Sequence, residues 1–452
     1  MQKIAVYQPK VSRKAYGFKI ISTIIFYISL LLLTFSDFLN AQFELEKRTV
    51  VRLGETSGMT VSFVILVTSA LLIDRDFRRL LLGKTGIFYV AVVIFYTLMG
   101  WRIFGNDIPW IRMDLLTFLW PIGGLALFRI IVQSYRPKVQ LMALIAVPTL
   151  YIYYAISLQA ERMNVLSTAG LTARIIDNSA YHYSALLLPL TGIALGVLCR
   201  QGWLLRILIL GLVAIHLYSL GFIGATRSIV LCILTVLVFS SFGLSYTISE
   251  GVLTSKSSLR KPKQFTYLLL IVSIFILSIT VFVEFQQMFI SFFQNSLIFD
   301  RFFDSQNYNS QRNSELRIEE AIDGIKYFQD ILEIVFGKGL GSTFPSILGY
   351  EINAFHIGVL TFLLKGGIIM FSCVVFTLYI KLPLLFIKSV VKPHRLDYLK
   401  RTALLTVLPG VFGWAVLLLL SGGYSPFNFL GVGFAFGTYS HIRKHGLGIF
   451  FE

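Results

Sequence analysis

The chain has 452 residues, of which 56% are hydrophobic and only 14% are charged, and its mean hydropathy is +0.75. A chain with this few charged residues has too little polar surface to cover a water-soluble globule. The composition therefore excludes a soluble protein and indicates one that is solvated by lipid. The net charge of +17 could suggest a nucleic-acid partner. The basic residues are, however, dispersed over many short segments, and we expect no nucleic-acid binding.

Apolar runs long enough to cross a membrane recur along the whole chain. A helical crossing needs about 20 apolar residues, because an unpaired backbone group in lipid costs several kcal/mol. We place spans at 18–36, 57–73, 86–103, 113–132, 139–156, 181–199, 204–223, 229–247, 264–283, 355–380, 402–420 and 427–441. The sequence therefore predicts an all-α polytopic membrane protein with about twelve transmembrane helices.

The orientation of these spans follows from where Lys and Arg fall. Basic clusters at Lys10–Lys14, Arg75–Arg79, Arg260–Lys263 and Lys381–Arg401 all lie on one side of the predicted membrane. Positive residues are retained on the cytoplasmic side, and most acidic residues here sort to the other side. The pattern predicts a multi-pass inner-membrane protein with both termini in the cytoplasm.

One connection, between the ninth and tenth spans, is far longer than the others. Connections of this length are commonly functional. Its first part, Phe285–Phe303, is aromatic and amphipathic like an interfacial helix, and apolar residues recur at helical spacing from Ser314 to Leu332. We therefore predict a membrane domain over 1–283, a helical extracytoplasmic cap over 284–355 and a second membrane part over 356–452.

Two arginines near the predicted outer face are candidates for binding an anionic substrate, because a cation near lipid is costly without an anionic partner. Arg227 lies in a tight outer turn, where a guanidinium can bind phosphate oxygens in a forked arrangement or reach lipid headgroups. Arg317 begins the amphipathic helix of the cap, where an ion pair with Glu320 is the alternative.

Further candidates lie in the glycine-rich run Gly337–Gly341 and at the start of the tenth span. The run could form a backbone nest for an anion, although a plain loop is the simpler interpretation. If Asn353 caps the tenth span, His356 stands in its first turn, where it could act as a general base on a sugar hydroxyl or donate to a phosphate. A structural histidine is the alternative. Lys365, deeper in the same span, needs a partner that the sequence does not identify.

Several chemistries do not fit the sequence. No two His or Cys residues have metal-ligand spacing, and no Walker-type phosphate loop occurs. No predicted cytoplasmic segment is large enough for a nucleotide-sugar domain. We expect neither metal nor cofactor, and an outward-facing site with cations suits a lipid-linked donor whose pyrophosphate leaves.

Three separated segments resemble those of the bacterial O-antigen polymerase and ligase superfamily. They are Thr226-Arg227-Ser228; Ser314-Glu315-Leu316-Arg317 followed by Gly337-Lys338-Gly339-Leu340-Gly341-Ser342; and His356 with Leu360 and Gly367. The chain departs from the family pattern at two positions. Family members often carry Asn where this chain has Ile357, and an acidic residue where it has Lys365.

The resemblance implies an integral-membrane glycosyltransferase that works without metal on a polyprenyl pyrophosphate-linked donor at the outer face of the inner membrane. It implies that Arg227 and Arg317 bind the undecaprenyl pyrophosphate and stabilise its charge, while His356 activates the acceptor hydroxyl or holds the phosphate. Further candidates for substrate binding are Arg162, Arg174 and Lys338.

The same motifs occur in polymerases, which extend a glycan on a lipid-linked repeat unit, and in ligases, which transfer it to lipid A core. We favour a polymerase, because polymerases diverge more and the motifs here are eroded. The expected partners are an undecaprenyl pyrophosphate-linked oligosaccharide donor, a lipid-linked acceptor, membrane lipids and a chain-length regulator. A lipid-linked sugar flippase is the alternative from another class, but it would predict two pseudo-symmetric halves, which the sequence does not show.

Overall fold

The computed structural model describes residues 13–43, 51–168, 178–198, 203–216, 218–219, 227–253, 319–345, 351–355, 357–391, 397–420 and 424–448. Within these ranges the chain is predominantly helical, and its two short strands form one antiparallel pair. The predicted ninth span and the first half of the predicted cap, 284–318, lie outside the described residues.

The helices follow one another closely along the chain. They are α1 Arg13–Phe43, α2 Val51–Ile73, α3 Arg75–Leu81, α4 Lys84–Leu98, α5 Ile108–Gln133, α6 Pro137–Thr168, α7 Asn178–Leu198, α8 Trp203–His216, α9 Arg227–Leu253, α10 over 319–326, α11 Ile331–Phe336, α12 Gly358–Val375, α13 Leu382–Val391, α14 Tyr398–Leu420 and α15 Pro426–His445. Strands β1 Phe344–Pro345 and β2 Glu351–Ile352 lie between α11 and α12. Two π-helical turns, Met99–Ile103 and Phe376–Lys381, extend α4 and join α12 to α13.

Five helical segments of the described chain are long and apolar enough to cross a membrane, judged by length and composition. They are Gly17–Thr34, Lys84–Ile103, Ile108–Gln133, Gly358–Val391 and Tyr398–Leu420. Each predicted span other than 264–283 overlaps a described helix. An all-α fold compatible with a membrane protein is therefore confirmed, while the count of twelve spans and the cap stay predictions.

At the centre of the bundle α15 packs on α5, α7 and α14, while α14 also packs on α7 and α9, and both α1 and α2 pack on α5. Small residues permit the close approach of these helices. Gly124 of α5 faces the backbone of Leu430, and Gly433 of α15 faces the backbone of Pro121, so a methyl group at either glycine would overlap the neighbouring helix. This crossing of α5 and α15 holds the start of α5 in a fixed place.

Contacts between helix ends define two ends of the bundle. Asp74, between α2 and α3, pairs with Arg129 near the end of α5, and Gly446, after α15, lies against Leu399 at the start of α14. We call this the basic end, since the described Lys and Arg residues there include Lys19, Arg75, Arg78, Arg79, Lys84, Arg129, Arg136, Lys138, Arg206, Lys388, Lys400, Arg401, Arg443 and Lys444. The start of α5, α10, α11 and the two strands lie at the opposite end.

Candidate functional site

At the end opposite the basic end, the glycine-rich run lies inside the helix bundle. Residues Gly337–Ser342 connect α11 to β1, and all six are buried. We call them the inserted segment. Its backbone contacts α4, α5 and α12, so a stretch that the sequence places in the extracytoplasmic cap is packed between helices of the membrane domain.

The alternation of glycines in the inserted segment has a conformational cause. Gly337, Gly339 and Gly341 have φ angles of 76°, 74° and 82°. Residues with a side chain rarely adopt such angles, and glycine does so at no steric cost. Space is also limiting, since a Cβ at Gly337 would lie 2.6 Å from the backbone nitrogen of Gly366. The Gly-x-Gly-x-Gly pattern is therefore required by this tight path.

The inserted segment forms hydrogen bonds to an interruption in α12. The helix breaks at Gly367, where φ is 61° and ψ is −164°. Such a break removes the usual donors from the carbonyls of the preceding turn. The backbone N–H of Lys338 donates to the carbonyl of Leu364 at 2.9 Å, and that of Gly339 donates to the carbonyl of Lys365 at 3.0 Å. The segment thus supplies donors where the helix lacks its own.

On its other side the inserted segment is bound to the end of α4. The N–H of Leu340 donates to the carbonyl of Tyr96 at 3.0 Å. The side-chain amide of Asn106 donates to the carbonyls of Lys338 and Leu340, both at 2.9 Å. The N–H groups of Lys338, Gly339 and Leu340 already have partners inside the chain, so the geometry does not favour a nest for an external anion, which was the alternative to a plain loop.

The anion that the inserted segment binds is a carboxylate of its own chain, Asp114 in the second turn of α5. One oxygen accepts from the N–H of Gly341 at 2.6 Å and from Nζ of Lys365 at 2.7 Å. The other accepts from the hydroxyl of Tyr424 at 3.1 Å and from the amide of Asn353 at 3.4 Å. Asp114 and Lys365 are both fully buried.

Asp114 is the partner that Lys365 needs and that the sequence does not identify. Removing either member of a buried pair leaves an uncompensated charge, which costs about 3–5 kcal/mol. Lys365 also donates to the carbonyl of Ser342, so it bridges α5 and the inserted segment. Burial, followed by the neighbouring Asp114 carboxylate, raises the pKa of Tyr424 well above its ordinary value, so the phenol keeps its proton and donates.

The sequence interpretation did not single out Asp114. Its signal is nevertheless present, since Asp114 is a carboxylate at the edge of the predicted span 113–132, next to an apolar run. An ionisable residue within such a run is by default a functional candidate whose partner must be sought. A carboxylate and an ammonium group, each at or within an apolar span, are candidates to neutralise one another, as Asp114 and Lys365 do here.

Lys338 is the predicted substrate-binding residue whose side chain the structure describes. Its ammonium group lies 3.2 Å from a carboxylate oxygen of Glu333 and 3.9 Å above the ring of Tyr327. The same carboxylate oxygen accepts from the N–H of Gln329 at 2.7 Å. Lys338 is thus held within its own chain, and substrate binding by this residue stays a prediction that requires the ion pair to open.

The other predicted site residues are placed only in part. Arg162 lies in α6 and Arg227 is the first residue of α9, but their side chains are outside what the structure describes. Arg174, Arg317 and His356 lie outside the described residues altogether. Whether these arginines and the histidine meet at one site therefore stays a prediction.

The described neighbours of Arg317 and His356 do contact one another. Helix α10 is described from two residues after Arg317, and its Gly324 lies so close to the ring of Phe355 that a Cβ there would overlap it. Phe355, directly before His356, also stacks on Phe344 with the ring centroids 4.3 Å apart. The chain segments that carry the two candidates are therefore connected by packing.

The inserted segment, the Asp114–Lys365 pair, Asn353 and Tyr424 form a hydrogen-bonded framework at this end of the bundle. The described groups there do not include a complete reactive centre. Among them, no group of three or more His, Cys, Asp or Glu side chains could hold a metal ion. The charges of Lys365 and Lys338 are both met by carboxylates of the chain. The framework can fix the inserted segment and the start of α12, which is the helix that follows His356.

A second buried cluster of charged side chains lies at the basic end of the bundle. Arg129 binds both carboxylate oxygens of Asp74, at 2.8 and 3.0 Å, and Asp74 also accepts from the N–H of Phe77 at 2.9 Å as the cap of α3. Burial would raise the pKa of Asp74, but the bonds from Arg129 and Phe77 outweigh it and lower the pKa. The guanidinium of Arg129 also donates to Asp76 at 3.2 Å, so carboxylates of the same chain meet its charge, and we interpret the cluster as structural.

Comparison of the chain with protein-family models, curated proteins and solved structures gave no match. The family resemblance therefore rests on the motif residues themselves. The structure adds one relation between them: the glycine-rich motif, Gly337–Ser342, is hydrogen-bonded to the helix that contains Leu360 and Gly367 of the next motif.

Proposed function

We propose that this protein is a polysaccharide polymerase of the bacterial inner membrane. It would transfer a growing glycan from undecaprenyl pyrophosphate to a lipid-linked acceptor repeat unit on the periplasmic face. The observation that carries the proposal is the contact between two separated motif segments, made by the N–H groups of Lys338 and Gly339 at the interruption of α12. A resemblance by chance would not require the glycine motif and the helix motif to fit one another.

The proposed topology has twelve transmembrane helices, both termini in the cytoplasm and a periplasmic cap over 284–355. It is supported by the separation of charge along the bundle, since Lys and Arg concentrate at the basic end. The described acidic residues at the opposite end are Asp107, Asp114, Glu319, Glu320, Asp323, Asp330, Glu333 and Glu351. Retention of positive residues inside the cell would then place the inserted segment near the periplasm.

In the proposed reaction an oxygen of the acceptor sugar bonds to the anomeric carbon of the donor glycan, while the bond from that carbon to undecaprenyl pyrophosphate breaks. His356 takes the proton of the acceptor hydroxyl or holds the phosphate. Arg227 and Arg317 bind the pyrophosphate and stabilise the charge that it gains on leaving. Arg162 and Arg174 contribute to saccharide binding. Neither a metal nor a cofactor takes part.

The Asp114–Lys365 pair supports the proposal as a means of positioning. A buried ion pair is seldom retained for stability alone, since an apolar pair of similar size is often as stable or more so. Here the pair fixes the inserted segment against α12, and Asp114 also binds Asn353, three residues before His356. Catalytic groups held by such a rigid framework lose little free energy on reaching the reactive geometry.

The test is elongation by the purified protein in liposomes supplied with lipid-linked repeat units. Wild-type protein should produce longer glycans, and Arg227→Ala, Arg317→Ala and His356→Ala should each lower the rate by about 100-fold or more. Arg443→Ala, at the exposed basic end, serves as the matched control and should keep its activity. Undiminished elongation in all three site variants would refute these assignments.

The same preparation separates the alternatives. Transfer of the glycan to added lipid A core, without elongation of repeat units, would identify a ligase. Movement of the lipid-linked substrate across the bilayer without any glycan transfer would identify a flippase. Either result would replace the proposed polymerase.

A further inference from the structure

An open groove lies beside the inserted segment, where the chain passes from α4 to α5. It has a volume of about 450 Å³ and is lined by Trp101, Gly105, Asn106, Asp107, Ile108 and Pro109. Binding sites for small ligands usually measure about 300–1,000 Å³. The groove is attached to the candidate site directly, because Asn106 donates both of its amide hydrogen bonds to the inserted segment.

The backbone forms the shape of the groove. The π-helical turn Met99–Ile103 widens the end of α4, and Gly105 then reverses the chain with a φ angle of 64°. The N–H of Asn106 donates to the carbonyl of Gly100 at 2.9 Å, which closes the turn. Gly100 itself packs on the backbone of Leu340 in the inserted segment. A ligand would therefore meet a preformed surface, and little free energy would be lost in ordering it.

One wall of the groove is an aromatic surface. Trp101 is 44% exposed, and the guanidinium of Arg102 lies 3.9 Å from the centroid of its ring system. Stacking by a cation on one face orients the indole. The C–H groups of a pyranose form an apolar face, and an exposed indole offers a flat apolar surface of matching size.

The other wall carries an available hydrogen-bond acceptor. Asp107 is exposed and caps α5 with its backbone, but its carboxylate makes no capping hydrogen bond. Among the described residues its side chain takes part in no ion pair. A carboxylate accepts several hydrogen bonds, which suits the hydroxyl groups of a sugar. Because Asp107 and Arg102 together leave the groove near neutral, it fits an uncharged saccharide better than a pyrophosphate.

Strongly exposed apolar side chains lie in the groove and beside it. Ile103 is 72% exposed and Ile108 is 68% exposed. In a membrane protein such side chains meet lipid tails, whereas the adjoining Asn106 and Asp107 are polar. The groove is therefore at a boundary between apolar and polar surface, which is the level at which the sugar of a lipid-linked glycan would project.

We propose that this groove is a saccharide-binding subsite that holds sugar units of the lipid-linked repeat-unit substrate. The Trp101 ring stacks on a pyranose face, and Asp107 accepts hydrogen bonds from the sugar hydroxyls. The identity of the substrate rests on the proposed function. Saccharide binding itself can be measured without elongation, so the two proposals can fail separately.

The test uses the water-soluble oligosaccharide released by mild acid from the lipid-linked repeat units of the same cells. Its binding to the purified full-length protein is measured by isothermal titration calorimetry. Trp101→Ala and Asp107→Asn should each weaken binding by about tenfold or more, the range expected for one lost stacking or hydrogen-bonding partner. Trp101→Phe keeps a flat ring and should retain much of the affinity.

Two controls separate binding from folding. Phe88→Ala removes an aromatic ring that is 70% exposed on the same helix but outside the groove, and it should bind the oligosaccharide like wild type. The Asp107 carboxylate makes no capping hydrogen bond, so Asp107→Asn should leave α5 intact. Equal thermal stability of the variants would establish that a lost affinity is local.

The outcomes are distinct for the two proposals. If the protein elongates glycans but Trp101→Ala and Asp107→Asn bind the oligosaccharide normally, the subsite is disproved and the polymerase stands. If both variants lose binding but wild type elongates nothing, the subsite stands and the polymerase fails. Binding of inorganic pyrophosphate that Arg102→Ala abolishes, and that the oligosaccharide does not displace, would also exclude a saccharide subsite.

Discussion

At Asp114, one carboxylate accepts four hydrogen bonds, which come from the inserted segment, from α12, from Asn353 directly after β2 and from the segment before α15. The residue pairs with Lys365 at 0% exposure, so neither charge can be relieved by water. The stability of this end of the bundle therefore depends on both charges being present together or both being absent.

This dependence predicts a non-additive pair of mutations. Lys365→Met should destabilise the protein by about 3–5 kcal/mol, because it leaves the Asp114 carboxylate buried without its cation. Adding Asp114→Asn should recover a large part of that loss, since the amide oxygen still accepts from the N–H of Gly341. Chemical denaturation of the detergent-solubilised variants measures both effects as a double-mutant cycle.

Asp323→Asn gives the matched comparison. Asp323 forms an ion pair with Lys326, but the two side chains are 55% and 71% exposed. Exposed pairs contribute at most about 1 kcal/mol. Additive losses in the Asp114 and Lys365 variants, of the same size as this control, would mean that the buried pair is not coupled.

Among the elements, the inserted segment differs most from what its sequence indicates. The simpler interpretation of Gly337–Gly341 is a plain loop, whereas the structure shows positive φ angles at all three glycines and burial of the whole run. Its packing could not be predicted, because the partners are backbone carbonyls of Tyr96, Leu364 and Lys365, and a carbonyl leaves no trace in a sequence. The helices are easier to predict from the sequence, because the pattern of apolar residues directly indicates which side chains leave water.

The candidate site, too, could be predicted only in part from the sequence. Lys365 was recognisable as a charge that needs a partner, because cations inside spans are costly. Asp114 is distant from it in sequence, and only the crossing of α5 with the inserted segment and α12 brings the two within 2.7 Å. Arg227, Arg317 and His356 are candidates because of their positions near the predicted outer face and because of the family resemblance, and their meeting at one site stays a prediction.

Two glycine substitutions, one in the inserted segment and one outside it, can separate the cost of backbone strain from the cost of steric overlap. Gly339 and Gly105 both have positive φ angles, 74° and 64°. A Cβ at Gly105 meets nothing within 4 Å, whereas one at Gly339 would overlap Gly100. Gly105→Ala should therefore cost about 1–2 kcal/mol from backbone strain alone. Gly339→Ala should cost clearly more and should displace the segment.

Limited proteolysis of the two variants, together with their denaturation curves, provides the measurement. Displacement of the inserted segment should expose new cleavage sites between α11 and β1 in Gly339→Ala but not in Gly105→Ala. Equal stability and equal cleavage patterns in the two variants would contradict the proposed packing of the segment between α4 and α12.

At the scale of the whole molecule, the two ends of the bundle differ in charge and in architecture. The basic end consists of short turns with one buried structural cluster around Asp74 and Arg129. The opposite end carries α10, α11, the strands and the groove, so the non-helical part of the described chain is concentrated there. If the basic end faces the cytoplasm, the polar framework of the candidate site faces the compartment in which a lipid-linked glycan would be extended.

This orientation can be tested by labelling single cysteines in intact cells. In a background without Cys199, Cys232 and Cys373, cysteine at exposed Lys444 should react with a membrane-impermeant maleimide only after the inner membrane is made permeable. Cysteine at exposed Glu351, at the opposite end, should react once the reagent reaches the periplasm. The expectation follows from retention of positive residues in the cytoplasm. Reaction of Lys444→Cys before permeabilisation, with protection of Glu351→Cys, would reverse the topology and place the candidate site on the wrong side of the membrane for a periplasmic polymerase.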